Sequence, residues 1–208
     1  MIWELSSFIS LALAAYVLGS VPTAYLMVRA ANGEDIRELG SHNVGALNAY
    51  RTVGAWAGLT VLLVDMSKGI LAVVVPRLVG VDDWVLFVTT PLVVAGHNWP
   101  VFLNFRGGKG AAAIFGISLV IVPWLTVITA GPSLLVMILL RNVVLGAAFG
   151  FILLNTMLWI TGQGAQQLGL CLLLTFLVTA TYLLNERDHI STSIKARQWK
   201  KLFLDLAG

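Results

Sequence analysis

Long apolar runs alternate along this chain with a few short polar segments. The runs cover residues 5–28, 53–64, 69–79, 85–95, 111–129, 133–159 and 168–184. Several are shorter than the roughly 20 residues that one helix needs to cross a bilayer, so they predict short, tilted, broken or paired helices. Membrane helices tolerate prolines such as Pro22, Pro91 and Pro123 where neighbouring groups bind the freed carbonyls. The pattern predicts an all-α, polytopic membrane helix bundle with five to seven crossings, forming one domain over residues 1–208.

The composition agrees with a membrane protein. Of the 208 residues, 58% are apolar and 11% are charged, whereas soluble domains carry about 25% charged residues. A soluble chain this short could not bury so much apolar surface. The first run follows Glu4 and has no Lys or Arg before it, which favours a retained span over a cleaved signal peptide. The single cysteine, Cys171, lies in an apolar run and is predicted to be a buried thiol.

Four polar segments interrupt the apolar pattern, and basic residues concentrate in three of them. We call 29–51 the first, 65–68 the second, 96–110 the third, and 185–208 the fourth polar segment. The first, third and fourth together hold 10 of the 13 basic residues. The positive-inside rule then places these three on the cytosolic side. The N-terminus is predicted to lie outside and the C-terminus in the cytosol, with the polar segments meeting in one site.

The third polar segment has the composition of an anion-binding loop. Gly107, Gly108 and Gly110 surround Lys109 immediately before an apolar helix. Glycines let backbone N–H groups approach a ligand closely, and a helix N-terminus attracts phosphate. The spacing is not that of a Walker A loop, because Gly110 stands where that motif needs Ser or Thr. A flexible loop with a topology-setting lysine remains the alternative.

The first polar segment offers small hydrogen-bonding groups before a helix. They are Ser41, Asn43 and Asn48, and Arg51 follows them. An arginine at this position can hold a phosphate through two parallel hydrogen bonds. A capped helix start with a topology-setting arginine explains the same residues equally well.

The second polar segment places Asp65 and Lys68 three residues apart, on one face of a helix. Charges at membrane depth are usually paired or functional. A structural ion pair is the leading interpretation, and direct catalysis is the alternative. His97 is either a base or a structural hydrogen-bonding residue.

No covalent nucleophile is evident in the sequence. No G-x-S-x-G turn is present, and the three histidines show no metal-ligand spacing. We therefore expect no metal, no cofactor and no nucleic-acid partner. For a transferase, direct attack of one substrate on the other is expected. A transporter or binding protein is the non-enzymatic alternative, since broken helices and buried charges also occur in transporters.

Three stretches resemble one known family, the bacterial acyl-phosphate:glycerol-3-phosphate acyltransferases (the PlsY family). The stretches are Ser41-His42-Asn43-Val44-Gly45-Ala46-Leu47-Asn48, Asp65-x-x-Lys68-Gly69, and Gly96-His97-x-x-Pro100-x-Phe102-x-x-Phe105-x-Gly107-Gly108-Lys109-Gly110. The resemblance covers almost the whole chain. It implies about seven helices in the bacterial inner membrane. It also implies acyl transfer from acyl phosphate to the 1-hydroxyl of glycerol 3-phosphate, giving lysophosphatidic acid and phosphate without an acyl-enzyme.

The resemblance also implies roles for individual residues. Ser41, Lys109 and His97 are the expected catalytic residues. The expected substrate-binding residues are Asn43, Asn48, Arg51, Gly107, Gly108, Gly110 and His189. The fourth polar segment departs from the family pattern His-x-x-Asn-Ile-x-Arg, since Glu186, His189 and Thr192 stand at its His, Asn and Arg positions. This departure leaves open a diverged member with another phosphorylated acceptor or acyl donor.

Overall fold

The computed structural model of the chain describes residues 2–185, with side chains over 5–184. Within that range every regular element is helical, as predicted. The chain divides into two compact units, the first ending at Ile121 and the second beginning at Val122. The prediction of one domain over the whole chain is untested by this division and stays a prediction.

The first unit contains six α-helices and three short 3-10 helices among its described residues. The α-helices are α1 (Ile2–Ser20), α2 (Thr23–Asn32), α3 (Ala46–Thr52), α4 (Ala55–Val79), α5 (Leu86–Asn98) and α6 (Ala111–Ile121). The 3-10 helices are Ile36–Glu38, Asp83–Val85 and Val101–Leu103. The loops between α2 and α3 and between α5 and α6 correspond to the first and third polar segments.

The first apolar run is broken into two helices at Val21 and Pro22. The break follows from Pro22, which has no N–H group and restricts the residue before it. Val21 N still bonds Leu18 O, and Leu26 N bonds Pro22 O, so each helix closes its own end. Together α1 and α2 provide one apolar stretch, Leu5–Asn32, that is long enough to span a bilayer.

Helix α4 runs without a break through the second polar segment. The runs 53–64 and 69–79 are therefore parts of one 25-residue helix. Asp65 and Lys68 are both buried, so their charges are paired inside the unit and do not interrupt the helix.

Close helix crossings in the first unit depend on reciprocal glycines. A Cβ on Gly19 of α1 would overlap the Val93 carbonyl of α5, and a Cβ on Gly96 would overlap the Tyr16 carbonyl of α1. Likewise, a Cβ on Gly69 of α4 would overlap the Ala113 carbonyl of α6, and a Cβ on Gly116 of α6 would overlap the Met66 carbonyl of α4. Small residues let membrane helices approach until their backbones touch. These crossings hold α1 against α5 and α4 against α6.

The second unit contains α7 (Pro123–Leu140), α8 (Val143–Thr161) and α9 (Ala165–Asn185). The predicted run 111–129, in which Pro123 was expected to be tolerated, is divided between two helices, because Pro123 begins α7. Arg141, in a left-handed conformation, ends α7, and the Asn142 side chain caps α8 by accepting from Leu145 N.

Polar side chains connect the three helices of the second unit. Ser133 Oγ of α7 donates to Gly146 O of α8 at 2.7 Å. Asn155 Nδ2 of α8 donates to Thr175 Oγ1 of α9 at 2.9 Å. Hydrogen bonds of this kind are typical of helix pairs that pack in lipid.

Six helical stretches in the described part of the chain are long and apolar enough to cross a membrane, and α6 is a shorter apolar helix. The prediction of a multi-pass membrane helix bundle is therefore confirmed. The predicted orientation of the termini is not tested and stays a prediction.

Candidate active site

The buried lysine of α4 forms a hydrogen bond to the backbone at the break between α1 and α2. Lys68 Nζ donates to Val21 O and to Asp65 Oδ1, both at 2.6 Å. The side chains of Lys68 and Asp65 are 4% and 3% exposed. Val21 O also accepts from Thr23 N at 3.0 Å, so the lysine adds a second, charged donor to the carbonyl at the helix break. Asp65 balances its charge, which would be costly at this depth if it were unpaired.

The loop of the first polar segment is held by the side chain of Asn48. Its Nδ2 donates to the carbonyls of Leu39 (2.9 Å), Asn43 (3.0 Å) and Ile36 (3.3 Å). Its Oδ1 accepts from Ser41 N at 3.3 Å. Asn48 is 1% exposed, and these contacts use both ends of its amide. In this structure it fixes the loop that presents Ser41 and Asn43.

Arg37 connects the first polar segment to the third. Its guanidinium pairs with Asp35 at 2.6 Å, and Nη1 donates to Leu103 O at 3.1 Å. It also lies over the Tyr25 ring, 5.6 Å from the centroid. The hydrogen bonds from Arg37 lower the pKa of Asp35 below its usual range, and Asp35 raises the pKa of Arg37. The pair thus remains ionised and holds the two loops together.

The glycine loop of the third segment folds back along the end of α5. Asn104 and Phe105 both have positive φ angles, 53° and 60°, and turn the chain. Gly107 N then donates to Asn98 O at 3.1 Å, and Gly108 N donates to His97 O at 3.0 Å. These bonds fasten the loop to the last turn of α5.

Three of the loop positions have no room for a side chain. A Cβ on Gly107 would overlap His97 O, and one on Gly108 would overlap the His97 ring and lie 2.6 Å from Val44 O. Gly110 has φ +79°, which a side chain would strain. The first bond of α6 runs from Ile114 N to Gly110 O, so the amides of 111–113 lie outside the helical ladder and suit an anion.

His97 lies where the polar segments meet. Its Nδ1 is 3.8 Å from Asp65 Oδ1, and its ring lies against Gly108. Val44 of the first polar segment also lies against Gly108. A small cavity opens here, lined by Gly19, Ser20, Val21, Pro22, Thr23, Ala24, Val44, Asp65, His97 and Pro100. The first, second and third polar segments and the helix break thus converge.

The structure places Ser41, Asn43 and Lys109 in these loops and Arg51 near the end of α3. Ser41 and Arg51 are exposed, whereas Asn43 and Lys109 are half-buried. Asn43 Nδ2 lies over Gly45, close enough that a Cβ there would sit 2.8 Å away. His189 lies outside the described residues. Among the residues described, no group of three His, Cys, Asp or Glu side chains could hold a metal ion.

Two features of the site are missing from the sequence-based prediction. One is Arg37, whose sequence signal is only the nearby Asp35; its bond to Leu103 O joins residues 66 apart in the chain. The other is the helix break with Thr23. Pro22 inside an apolar run is the signal for it, because a proline there leaves a carbonyl that some other group must satisfy.

Fold and site together define a class: a multi-pass helical membrane protein with a basic, glycine-rich loop beside a buried His–Asp–Lys group. The sequence profile described as glycerol-3-phosphate acyltransferase matches residues 9–195. The chain belongs to the glycerol-3-phosphate acyltransferase family. This confirms the predicted family and the prediction of an acyltransferase.

Curated relatives agree with this assignment. Glycerol-3-phosphate acyltransferase 1 of Dehalococcoides mccartyi is 34% identical over 204 residues, covering 91% of this chain and 96% of that protein. The Rippkaea orientalis protein is 36% identical over 174 residues, covering 78% and 79%. Glycerol-3-phosphate acyltransferase 5 of D. mccartyi is 38% identical over 127 residues, covering 61% of this chain and 54% of that protein.

A solved structure has a similar fold. It is the crystal structure of PlsY (YgiH), described as an integral membrane glycerol 3-phosphate acyltransferase, in its glycerol 3-phosphate form. It superimposes with a TM-score of 0.79 and 30% identity, covering 92% of this chain and 94% of that one. A second crystal structure of that protein is its lysophosphatidic acid form, with a TM-score of 0.74.

Proposed function

We propose that this protein transfers an acyl group from acyl phosphate to the 1-hydroxyl of glycerol 3-phosphate. The products are lysophosphatidic acid and inorganic phosphate. The observation that carries the proposal is the packing of Gly108 against both His97 and Val44, which joins the glycine loop to the first polar segment. The crystal structures of the related PlsY with glycerol 3-phosphate and lysophosphatidic acid support the same acceptor and product.

Two anionic groups need places in this site, one on each substrate. We assign the glycine loop, Lys109 and the N-terminus of α6 to phosphate, since backbone amides and a lysine stabilise its charge. Arg51, Ser41 and Asn43 are assigned to the acceptor, with Arg51 facing its phosphate. Asn48 is assigned to support of the loop instead of direct contact, because its amide already binds four backbone groups.

The chemistry needs no covalent enzyme intermediate. The acceptor hydroxyl oxygen attacks the acyl carbonyl carbon, and a new C–O ester bond forms. The bond between that carbon and the phosphate oxygen breaks, and phosphate leaves with the electron pair. The hydroxyl proton passes to the departing phosphate or to His97, either of which is a competent base. The site supplies proximity and charge stabilisation for this step.

Purified protein reconstituted in lipid tests the proposal. With acyl phosphate and glycerol 3-phosphate together, it should release phosphate and lysophosphatidic acid in equal amounts. Acyl coenzyme A in place of acyl phosphate should give no product. An active member of the family serves as the control for the assay. Absence of product at high protein concentration, with the control active, would contradict the proposed reaction.

We also propose that the site faces the cytosol from the bacterial inner membrane. The first and third polar segments carry Arg37, Arg51, Arg106 and Lys109. Arg77, towards the far end of α4, is neutralised by Asp83 at 3.1 Å. This asymmetry follows the positive-inside rule. Replacing Cys171 by Ala and His42 by Cys gives a single reporter thiol. An impermeant maleimide should label it in inside-out vesicles and not in intact cells.

A further inference from the structure

The small cavity at the helix break is lined by Thr23, a residue whose buried hydroxyl, Oγ1, has no hydrogen-bond partner in the described part of the chain. Thr23 as a whole is 9% exposed. Other buried threonines of this unit use their hydroxyls: Thr90 Oγ1 donates to Leu86 O at 2.7 Å, and Thr89 Oγ1 donates to Ala72 O at 2.9 Å. Leaving a buried hydroxyl unpaired costs about 1–3 kcal/mol, so Thr23 calls for a partner.

The cavity has the size and lining of a one-water site. Its volume is about 10 Å³, close to the minimum for a single water molecule. The polar residues Thr23, Asp65, His97 and Ser20 are among those that line it, and a buried water needs two to four polar partners. Empty cavities in proteins are apolar, so this lining favours an occupied site.

The charges of Asp65 and Lys68 favour a neutral molecule in the cavity over an ion. Lys68 Nζ lies 2.6 Å from Asp65 Oδ1, so a second cation at Asp65 would be repelled by the lysine. An anion would meet the Asp65 carboxylate. A neutral water can donate to Asp65 and accept from Thr23 or the His97 ring without either penalty.

We propose that this cavity binds one structural water, held by Thr23 Oγ1, and that the water bridges the helix break to the Asp65–His97 pair. Thr23 is then a positioning residue. His97 Nδ1 and Asp65 Oδ1 are 3.8 Å apart, beyond direct hydrogen-bond reach, and a bridging water supplies the contact that sets the orientation of the ring. The ring in turn lies against the glycine loop at Gly108.

The role of Thr23 in turnover rests on the proposed function, whereas the presence of the water does not. A high-resolution crystal structure of the wild-type protein should show an ordered water within hydrogen-bond distance of Thr23 Oγ1 and of Asp65 or His97. Thr23→Val, which replaces the hydroxyl by a methyl group of the same size, should lose that water. Wild-type density without it, at a resolution that shows other buried waters, overturns the proposal.

Kinetics test the positioning role separately. Thr23→Val should lower kcat about tenfold with little change in KM, since a misplaced group slows chemistry more than it weakens binding. Thr23→Ser, which keeps the hydroxyl, should restore kcat. The matched control is Thr90→Val, on the same helix as His97, which removes a hydroxyl that bonds within α5 and should leave kcat unchanged. Equal kcat for Thr23→Val and wild type overturns the positioning role, and complete inactivity of the wild type contradicts only the proposed reaction.

Discussion

Lys68 on α4 donates to the carbonyl of Val21, 47 residues earlier, at 2.6 Å. The same ammonium group pairs with Asp65. A buried charge, a broken helix and the wall of the site cavity therefore depend on one side chain. The relationship explains why a lysine is tolerated at a membrane-embedded position: its charge is paired with Asp65, and the Val21 carbonyl, which also accepts from Thr23 N, binds a second of its protons.

Replacing Lys68 by Met should destabilise the protein strongly. It leaves Asp65 buried without its partner and removes a donor from Val21 O, and breaking a buried pair costs about 3–5 kcal/mol. The thermal midpoint in detergent measures the loss. Ser67→Ala, at the exposed neighbouring position, should leave it nearly unchanged. The double variant Asp65→Asn/Lys68→Met should be less unstable than the sum of the single variants; simple additivity would argue against the pairing.

Removing the charge of Lys109 should reduce activity while the protein remains folded. A charge-assisted phosphate contact contributes about 1.5–3 kcal/mol, so Lys109→Ala should lose about ten- to a hundredfold in kcat/KM. Lys109→Arg keeps the charge and should retain part of the activity. Phosphate release in lipid gives the measurement. Wild-type turnover in Lys109→Ala would show that the glycine loop does not hold phosphate.

A methyl group on Gly108 should disturb the site more than the overall fold. It would overlap the His97 ring and crowd Val44 O, so the loop or the ring must move. We expect at least about a tenfold loss of kcat, since small displacements of reacting groups are costly. Gly131→Ala is the control, because a Cβ there has nothing within 4 Å. Similar activity in both variants would place His97 outside the chemistry.

The Asp35–Arg37 pair predicts an acid-sensitive contribution to stability. The pKa of Asp35 is lower in the folded protein than in the unfolded chain, mainly through hydrogen bonds from Arg37. Its stabilisation is therefore complete above the unfolded pKa, about 3.9, and is lost as pH falls through the folded value. The thermal midpoint of Asp35→Asn should be lower than that of wild type at pH 6, and the two midpoints should begin to converge only as the pH falls below about 4. Glu34→Gln, an exposed neighbour, should follow the wild-type curve; a pH-independent difference for Asp35→Asn would refute the ion pair as its cause.

The helical membrane fold could be predicted from the apolar runs, because each run must become a helix in lipid. The residues at which the helices begin and end were harder to predict from the sequence. The run containing Pro22 is two helices, and the two runs separated by Asp65 and Lys68 are one. The break follows from Pro22, whereas α4 continues because Asp65 and Lys68 pair within one turn of it. The contact between Lys68 and Val21 joins residues too distant in sequence for periodicity to reveal.

The candidate site was predictable where composition is unusual. Three glycines around Lys109 indicate an anion loop, and Asp65 and Lys68 were placed on one helix face. The function of Asn48 was not predictable, because a side chain that binds backbone carbonyls looks in sequence like one that binds a ligand. Thr23 lies in an apolar run, and its unpartnered hydroxyl distinguishes it from the other buried threonines of the first unit, Thr89 and Thr90.

The end of helix α5 makes two contacts. The His97 and Asn98 carbonyls accept hydrogen bonds from the glycine loop, and Gly96 packs against the backbone of α1. The glycine loop and helix α1 are therefore both fixed to one helix. A displacement of α5 across the bilayer would carry the two together, so their spacing depends on contacts made by α5.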